Sequence, residues 1–361
     1  MKRVVIIGGG YAGTKLARAL DDAAEVVLIE PRDAFVHNVA AIRAIVEPAL
    51  LDLLIIPYDR LLSRGRVVQD REVGLAEREV KLAAHGALEA DIIVVATGSR
   101  SARPFKPTGD SIAEFRAASA EAHGMLKAAT SVAVVGGGAV GTELAGEIAA
   151  GAAGKRVALV SGASSLFPNM PPALGKRLLA HLTKMGVAVH LGASAEGLRG
   201  ADGPRQGPLR LSSGHSVAAD IVFPAMGVTP VTALLDSLPG VSFDPAGRVN
   251  VDPWLRPAGR PNMFALGDVA STGDPMTIVS ISAQVPWLAG TITSILEGKQ
   301  AQELPQYVPG SRTLFLVPLG PRHGASVLPV SGRRVVVGSF LTSIAKGKDL
   351  LISRYRREFG Y

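Results

Sequence analysis

Two glycine-rich segments carry the first chemical signal in this 361-residue chain. They are Gly8-Gly9-Gly10-Tyr11-Ala12-Gly13 and Gly136-Gly137-Gly138-Ala139-Val140-Gly141. Each has glycine at its first, third and sixth places, follows an apolar run (Val4–Ile7 or Val132–Val135) and opens a helical stretch. In that setting the first glycine permits the tight strand-to-helix turn. The second lets the backbone approach a pyrophosphate, and the third lets helix and strand pack closely. Phosphates then rest on free N–H groups at the positive end of a helix. Two such turns imply two dinucleotides on one protein. The first, with Gly8, Gly9, Gly10, Tyr11, Ala12 and Gly13, is read as the FAD site. The second, with Gly136, Gly138, Val140 and Gly141, is read as the site for NADH or NADPH.

Glu30 closes the strand after the first turn, where a carboxylate accepts hydrogen bonds from a ribose diol; Arg32 beside it is a further cofactor-binding candidate. The equivalent place after the second turn is Ser161. A carboxylate there would repel a 2′-phosphate, whereas serine does not. No arginine follows to attract one, although Lys155 and Arg156 precede the strand. The choice between NADH and NADPH stays open.

The chain has no cysteine. Disulfides, thiolate metal centres and redox dithiols are therefore excluded, and with them disulfide reductases, thiol peroxidases and sulfide:quinone reductases. The seven histidines are scattered without ligand spacing, so no metal site is expected.

The elements that must position these residues repeat. The first half reads as strand Val4–Ile7, glycine turn, helix to about Leu20, strand Val26–Glu30 and strand Asp91–Ala96 before Thr97-Gly98. After a Pro-, Arg- and Gly-containing linker, Ser99 to Asp110, the order returns. It runs Val132–Val135, glycine turn, helix Thr142–Ala150, strand Val157–Ser161, and Asp220–Met226 before Gly227. This is an internal duplication at domain scale. Asn262–Leu266 then leads into Gly267-Asp268. Pro275 to Leu296 is uncharged and long enough to span a bilayer, but Pro286, Gln284 and several hydroxyl residues interrupt it, so it reads as a buried helix against a cofactor. Strand-like runs at Thr313–Val317 and Arg334–Gly338 mark a third, smaller domain. The expected division is an FAD-binding domain at 1–108 and 242–300, an NAD(P)H-binding domain at 109–241 and a C-terminal domain at 301–361.

Hydrophobic residues make up 47% and charged residues 19%, the balance of a well-packed α/β enzyme. The N-terminus runs directly into a strand, leaving no room for a signal peptide, and Lys2 stands where N-myristoylation needs glycine. The net charge of +7 concentrates at the C-terminus. There Arg333, Arg334, Lys346, Lys348, Arg354, Arg356 and Arg357 face only Asp349 and Glu358. Leu351, Ile352, Tyr355 and Phe359 interleave with them at roughly helical spacing. Two readings stand side by side: a basic amphipathic surface on an anionic membrane, or a terminal helix with one buried face. The expected location is cytoplasmic, with peripheral contact on the inner face of a membrane as the open variant.

With Gly267-Asp268 in view, the chain resembles the FAD-dependent pyridine nucleotide oxidoreductase superfamily. Asp268 matches the aspartate that this superfamily places on the flavin ribityl chain, and Ala96-Thr97-Gly98 matches its strand end. The helix after Asp268 would aim its positive end at the reduced flavin. Phe35-Val36-His37-Asn38-Val39-Ala40-Ala41-Ile42-Arg43 is similar to a stretch of the ferroptosis-suppressor branch, also called the apoptosis-inducing-factor-like, mitochondrion-associated branch. Pro309-Gly310, Gly320, His323-Gly324 and Lys346 to Leu350 are similar to its tail. This resemblance implies α/β architecture with two Rossmann-like domains of glutathione-reductase type plus a small C-terminal α+β domain. It implies an NAD(P)H:quinone oxidoreductase related to type II NADH dehydrogenases. It places Arg43 and Val67 on FAD, His37 and Asn38 near the flavin, Glu143 near the nicotinamide and Lys346 near the reacting centre. Gln284 stands where animal members carry histidine, in the helix expected near the quinone.

The expected chemistry is hydride transfer from NAD(P)H to flavin, then two electrons to a quinone. A reductase for ferredoxin or rubredoxin is the enzymatic alternative. A DNA-binding or signalling flavoprotein is the other, supported only by the basic tail. Nucleic acid is not the expected partner, and a homodimer is left open.

Overall fold

The computed structural model describes residues 1–310 and 314–361. The first half contains β1 (Arg3–Ile7), α1 (Tyr11–Leu20), β2 (Glu25–Glu30), α2 (Asn38–Ala44), β3 (Arg66–Gln69) and β4 (Ile92–Val95). The second contains α3 (Ile112–Ala128), β5 (Ser131–Val135), α4 (Ala139–Gly151), β6 (Arg156–Ser161), β7 (Ala188–Leu191) and β8 (Ile221–Pro224). The chain then returns with β9 (Met263–Ala265) and α5 (Ile278–Leu296). It ends with β10 (Phe315–Leu319), β11 (His323–Val330), β12 (Arg333–Val337) and α6 (Ile352–Glu358).

Two five-stranded sheets form the body. The first has the order β9-β4-β1-β2-β3, all parallel. The second has the order β7-β6-β5-β8, with the short strand Arg205–Gln206 added antiparallel at its edge. Val4, Val5, Ile6 and Ile7 are wholly buried, as expected of a parallel strand covered on both faces. Ser99–Arg100 pairs antiparallel with Thr229–Pro230, so the two crossings between the sheets run side by side. The linker expected from Ser99 therefore opens with a strand.

α5 is long and apolar enough to cross a membrane. Ile281, Val285, Leu288 and Ile292 repeat at helical spacing, and this face is buried in the core shared with α1. The helix begins ten residues beyond Asp268, capped by the Thr277 hydroxyl on Ser280 N–H. Asp268 itself sits in the 3-10 turn Gly267–Val269. The expected helix following directly on Asp268 is thus displaced, because Ala270–Ser271 first pairs with Val249–Asn250.

β10, β11 and β12 form an antiparallel sheet. Thr313, which the sequence placed at the start of the first of these strands, lies outside the described residues. α6 settles the reading of the amphipathic tail. Ile352, Tyr355 and Phe359 are buried, Tyr355 and Phe359 within an aromatic cluster with Tyr11 and Phe35. Lys15 pairs with Glu358 at 2.5 Å and lies over the Tyr355 ring. The apolar face that membrane contact through this helix would need is spent inside the fold.

Candidate functional site

The duplication read from sequence is visible atom by atom. Gly8 and Gly136 hold φ of 106° and 127°, in the region that favours glycine. A Cβ on either would lie 2.5 Å from Ala96 O or 2.1 Å from Ala225 O. Gly13 and Gly141 are equally constrained, at 1.9 and 2.0 Å from the carbonyl oxygens of Gly8 and Gly136. Gly10 and Gly138 differ: a Cβ there would meet nothing within 4 Å. Their backbone faces open space, where a pyrophosphate would approach the helix end. Ala96-Thr97-Gly98 and Ala225-Met226-Gly227 occupy equivalent strand ends, with Gly98 and Gly227 at φ of 71° and 67°.

Glu30 and Ser161 sit beside the middle glycines. Glu30 is 1% exposed and accepts from Gly9 N–H at 2.7 Å, and Arg32 pairs with its other oxygen at 2.7 Å. Tyr58 donates to Gly9 O at 2.8 Å, so the turn is gripped from both sides. Sequence reasoning missed Tyr58, which no motif marks. Ser161 accepts from Ala163 N–H at 3.3 Å, in a cavity also lined by Gly137, Gly138, Phe167 and Asn169. Among the described residues, no charged side chain lines this cavity. Phe167 at its edge holds a left-handed backbone, φ 52°, a strain of about 1–2 kcal/mol for a side-chain-bearing residue.

Asp268 accepts from Ser99 at 2.6 Å and from Lys106 at 3.2 Å. Neither partner was marked by the sequence, since both lie in what reads as linker. Gln284, in α5, accepts from Gly267 N–H at 2.9 Å and donates to Asp274 at 2.9 Å and Thr272 at 3.0 Å. Tyr307 and Gly310 N–H complete the shell of Asp274. Gln284 is 2% exposed and braces the Gly267-Asp268 turn.

The α2 motif turns toward the C-terminal segment. Arg43 makes a bidentate pair with Glu147 at 2.8 and 2.9 Å, and donates to Gly347 O at 2.6 Å and Lys348 O at 3.1 Å. Four of its five N–H groups are thereby engaged. His37 Nε2 donates to Leu350 O at 2.7 Å, since a carbonyl can only accept, and Nδ1 accepts from the Tyr11 hydroxyl at 2.9 Å. Burial lowers the His37 pKa to about 4, fixing this neutral form. Asn38 Oδ1 is buried without a partner among the described residues, and Val67 is half-buried on β3.

One turn along α4 from Glu147, Glu143 meets Lys346 at 2.6 Å. Burial raises the Glu143 pKa, and the Lys346 charge opposes that rise. Glu147 is raised by burial in the same way and opposed by Arg43. Glu147 was not singled out from sequence, although its i+4 spacing from Glu143 was the available signal. Glu143 thus holds Lys346 directly, and Glu147 holds Gly347 and Lys348 through Arg43. No group of three or more His, Asp or Glu suited to a metal occurs among the described residues.

These features fit two dinucleotides. Gly8, Gly13, Gly136 and Gly141 admit no Cβ, Gly10 and Gly138 leave open space for a phosphate, Glu30 is a buried acceptor, and Asn38 offers an acceptor still lacking its donor among the described residues. A parallel sheet and a mostly parallel one, each with a dinucleotide turn after a central strand, define a protein that holds two nucleotides. The family profile described as pyridine nucleotide-disulphide oxidoreductase matches residues 2–284. Apoptosis-inducing factor homolog B of Dictyostelium discoideum is 29% identical, over 98% of this chain and 96% of that protein. Ferroptosis suppressor protein 1 of Taeniopygia guttata is 30% identical, over 99% of this chain and 96% of that protein. Among solved structures, an NAD-dependent persulfide reductase from A. fulgidus superposes with a TM-score of 0.71 at 20% identity, covering 91% of this chain and 64% of that one. The chain thus spans less than two thirds of that structure, which shows the fold alone. The chain belongs to the pyridine nucleotide-disulphide oxidoreductase family, in its apoptosis-inducing-factor and ferroptosis-suppressor branch, and is an oxidoreductase whose cofactors are FAD and NAD(P)H. It has the family's fold without a cysteine to form a disulphide.

Proposed function

We propose that the protein is an NAD(P)H:quinone oxidoreductase. One observation carries this reading: a buried Lys346–Glu143 pair joins the helix of the second dinucleotide turn to the C-terminal segment in a chain with no thiol. The overall reaction is NAD(P)H + H⁺ + quinone → NAD(P)⁺ + quinol. Hydride supplies both electrons and one proton, so one further proton must come from protein or solvent. FAD, when bound, supplies the two-electron relay between the two substrates. Gly8 to Gly13 and Glu30 would hold it at one end, and Asp268, braced by Gln284, at the other. Gly136 to Gly141 would hold the second nucleotide. Lys346 Nζ would deliver the proton, and Glu143, which accepts from it at 2.6 Å, would orient it.

The neutral cavity at Ser161 supports use of both NADH and NADPH. It lacks the carboxylate that would reject a 2′-phosphate and the arginine that would demand one. Support for the acceptor also comes from the likeness to ferroptosis suppressor protein 1 along nearly the whole chain.

The test is steady-state oxidation of NADH and NADPH by the purified flavoprotein, with and without a soluble quinone analogue. Strong quinone stimulation with either nucleotide is the expected result. Flavin reduction that no quinone relieves would instead indicate a protein electron acceptor.

A further inference from the structure

The turns that follow β12 carry apolar side chains that the fold leaves uncovered. Phe340 is 76% exposed, Ile344 55% and Leu341 47%. They lie on the consecutive turns Ser339–Thr342 and Ser343–Gly347, at i, i+1 and i+4, and so share one side. Val330 and Val335 are also exposed, on the β11–β12 hairpin that leads into these turns.

No aspartate or glutamate occurs from Leu304 to Lys348. Arg333 and Arg334 are exposed at the hairpin, with Arg322 and Lys348 exposed nearby in the chain. The neighbouring helix Pro172–Lys184 also lacks acids; its Arg177 reaches Val336 O and its His181 reaches Ser339. An apolar strip beside exposed arginines matches an anionic lipid bilayer: the aromatic and aliphatic side chains enter the acyl boundary, and the arginines meet headgroup phosphates.

We propose that this face, centred on Phe340, Leu341 and Ile344 with Arg333 and Arg334, docks the protein on a membrane bearing anionic phospholipid. It replaces α6 as the lipid-facing element, since the apolar residues of α6 are buried. Docking itself does not depend on the electron acceptor. One consequence rests on the quinone reading: Ile344 points outward from the same turn whose Lys346 reaches Glu143, so a lipid-soluble acceptor would enter from the bound side.

The experiment is vesicle flotation of the full flavin-loaded chain. One set of vesicles is phosphatidylcholine alone, and the other contains roughly a third phosphatidylglycerol. The protein should float with the anionic vesicles and be released at about 0.5 M salt, where screening is nearly complete. Phe340→Ser with Ile344→Ser, and separately Arg333→Glu with Arg334→Glu, should each weaken binding about tenfold or more. Both variants should keep bound flavin and unchanged turnover with a soluble quinone, which shows that they fold. Protein that stays unbound at low salt would overturn the proposal, as would variants that float like the parent. A parent dimer that Phe340→Ser with Ile344→Ser splits into monomers would assign the face to a second copy and overturn it too. Anionic vesicle binding without quinone turnover would uphold docking and refute the quinone reading.

Discussion

Lys346 and Glu143 stand 203 residues apart in sequence and 2.6 Å apart in space. This contact joins the helix of the second dinucleotide turn to the C-terminal segment. Arg43, bound to Glu147 one turn further along, adds α2 to the same junction. Three parts of the chain thus converge on two buried ion pairs, and breaking either pair has a cost that can be measured.

Lys346→Met leaves the Glu143 carboxylate buried and unpaired. Loss of one partner of a buried pair costs about 3–5 kcal/mol, so the denaturation midpoint should fall clearly. Glu143→Gln combined with Lys346→Met should recover most of that stability, because no charge is left stranded. Quinone turnover should stay at least tenfold below the parent in the double variant, since the proton carrier is gone. Denaturant unfolding and steady-state kinetics on the three proteins separate these effects.

The glycine turns allow steric and ligand effects to be told apart. Gly13→Ala sets a methyl 1.9 Å from Gly8 O and should destabilise the protein even without flavin. Gly10→Ala meets nothing in the protein, so apo stability should be nearly unchanged while flavin content after purification falls about tenfold or more. Absorbance of bound flavin and thermal unfolding of the apo form give the two readings.

Ser161→Glu would restore a carboxylate opposite the expected 2′ position. KM for NADPH should rise by about tenfold or more, with NADH affected little, because only the phosphate is repelled. Equal losses with both nucleotides would show that Ser161 does not face the ribose.

His37 contributes a pH dependence. Its pKa is lowered from 6.5 to about 4 by burial. Between these values the unfolded chain binds a proton that the folded chain refuses. Its contribution to stability is therefore full above pH 6.5 and is lost as pH falls toward 4. Asp70 acts lower. Burial pushes it up, but the His85 ring and backbone N–H groups outweigh that and bring it to about 2 from 3.8, so its contribution is lost only as pH falls between those values. His37→Gln should be less stable than the parent at pH 7 and should show a flatter stability profile down to about pH 4. Denaturant midpoints across that range test this.

The local rules of strand, turn and helix made the nucleotide cradles legible. A Gly8 that must take positive φ and a Gly13 that must touch Gly8 leave a spacing that survives in sequence. Glu30 and Ser161 followed from strand ends alone. The long-range partners did not. Glu147 answers to Arg43, Ser99 and Lys106 to Asp268, and Asp274 to Gln284, each through tertiary contacts that no sequence spacing encodes. The tail stayed open between two readings for a related reason: Tyr355 and Phe359 have the pattern of an amphipathic surface helix whether their partner is a lipid or Phe35. Phe340 and Ile344 show no comparable run in sequence, because the turns that expose them are short.

The most direct measurement of the central claim is anaerobic rapid mixing. The flavin-loaded protein is first mixed with one equivalent of NADH or NADPH, then with a soluble quinone. The flavin absorbance should bleach with either nucleotide and return fully on addition of one equivalent of quinone. Flavin that bleaches but is not reoxidised by quinone, or that does not bleach, would contradict the account.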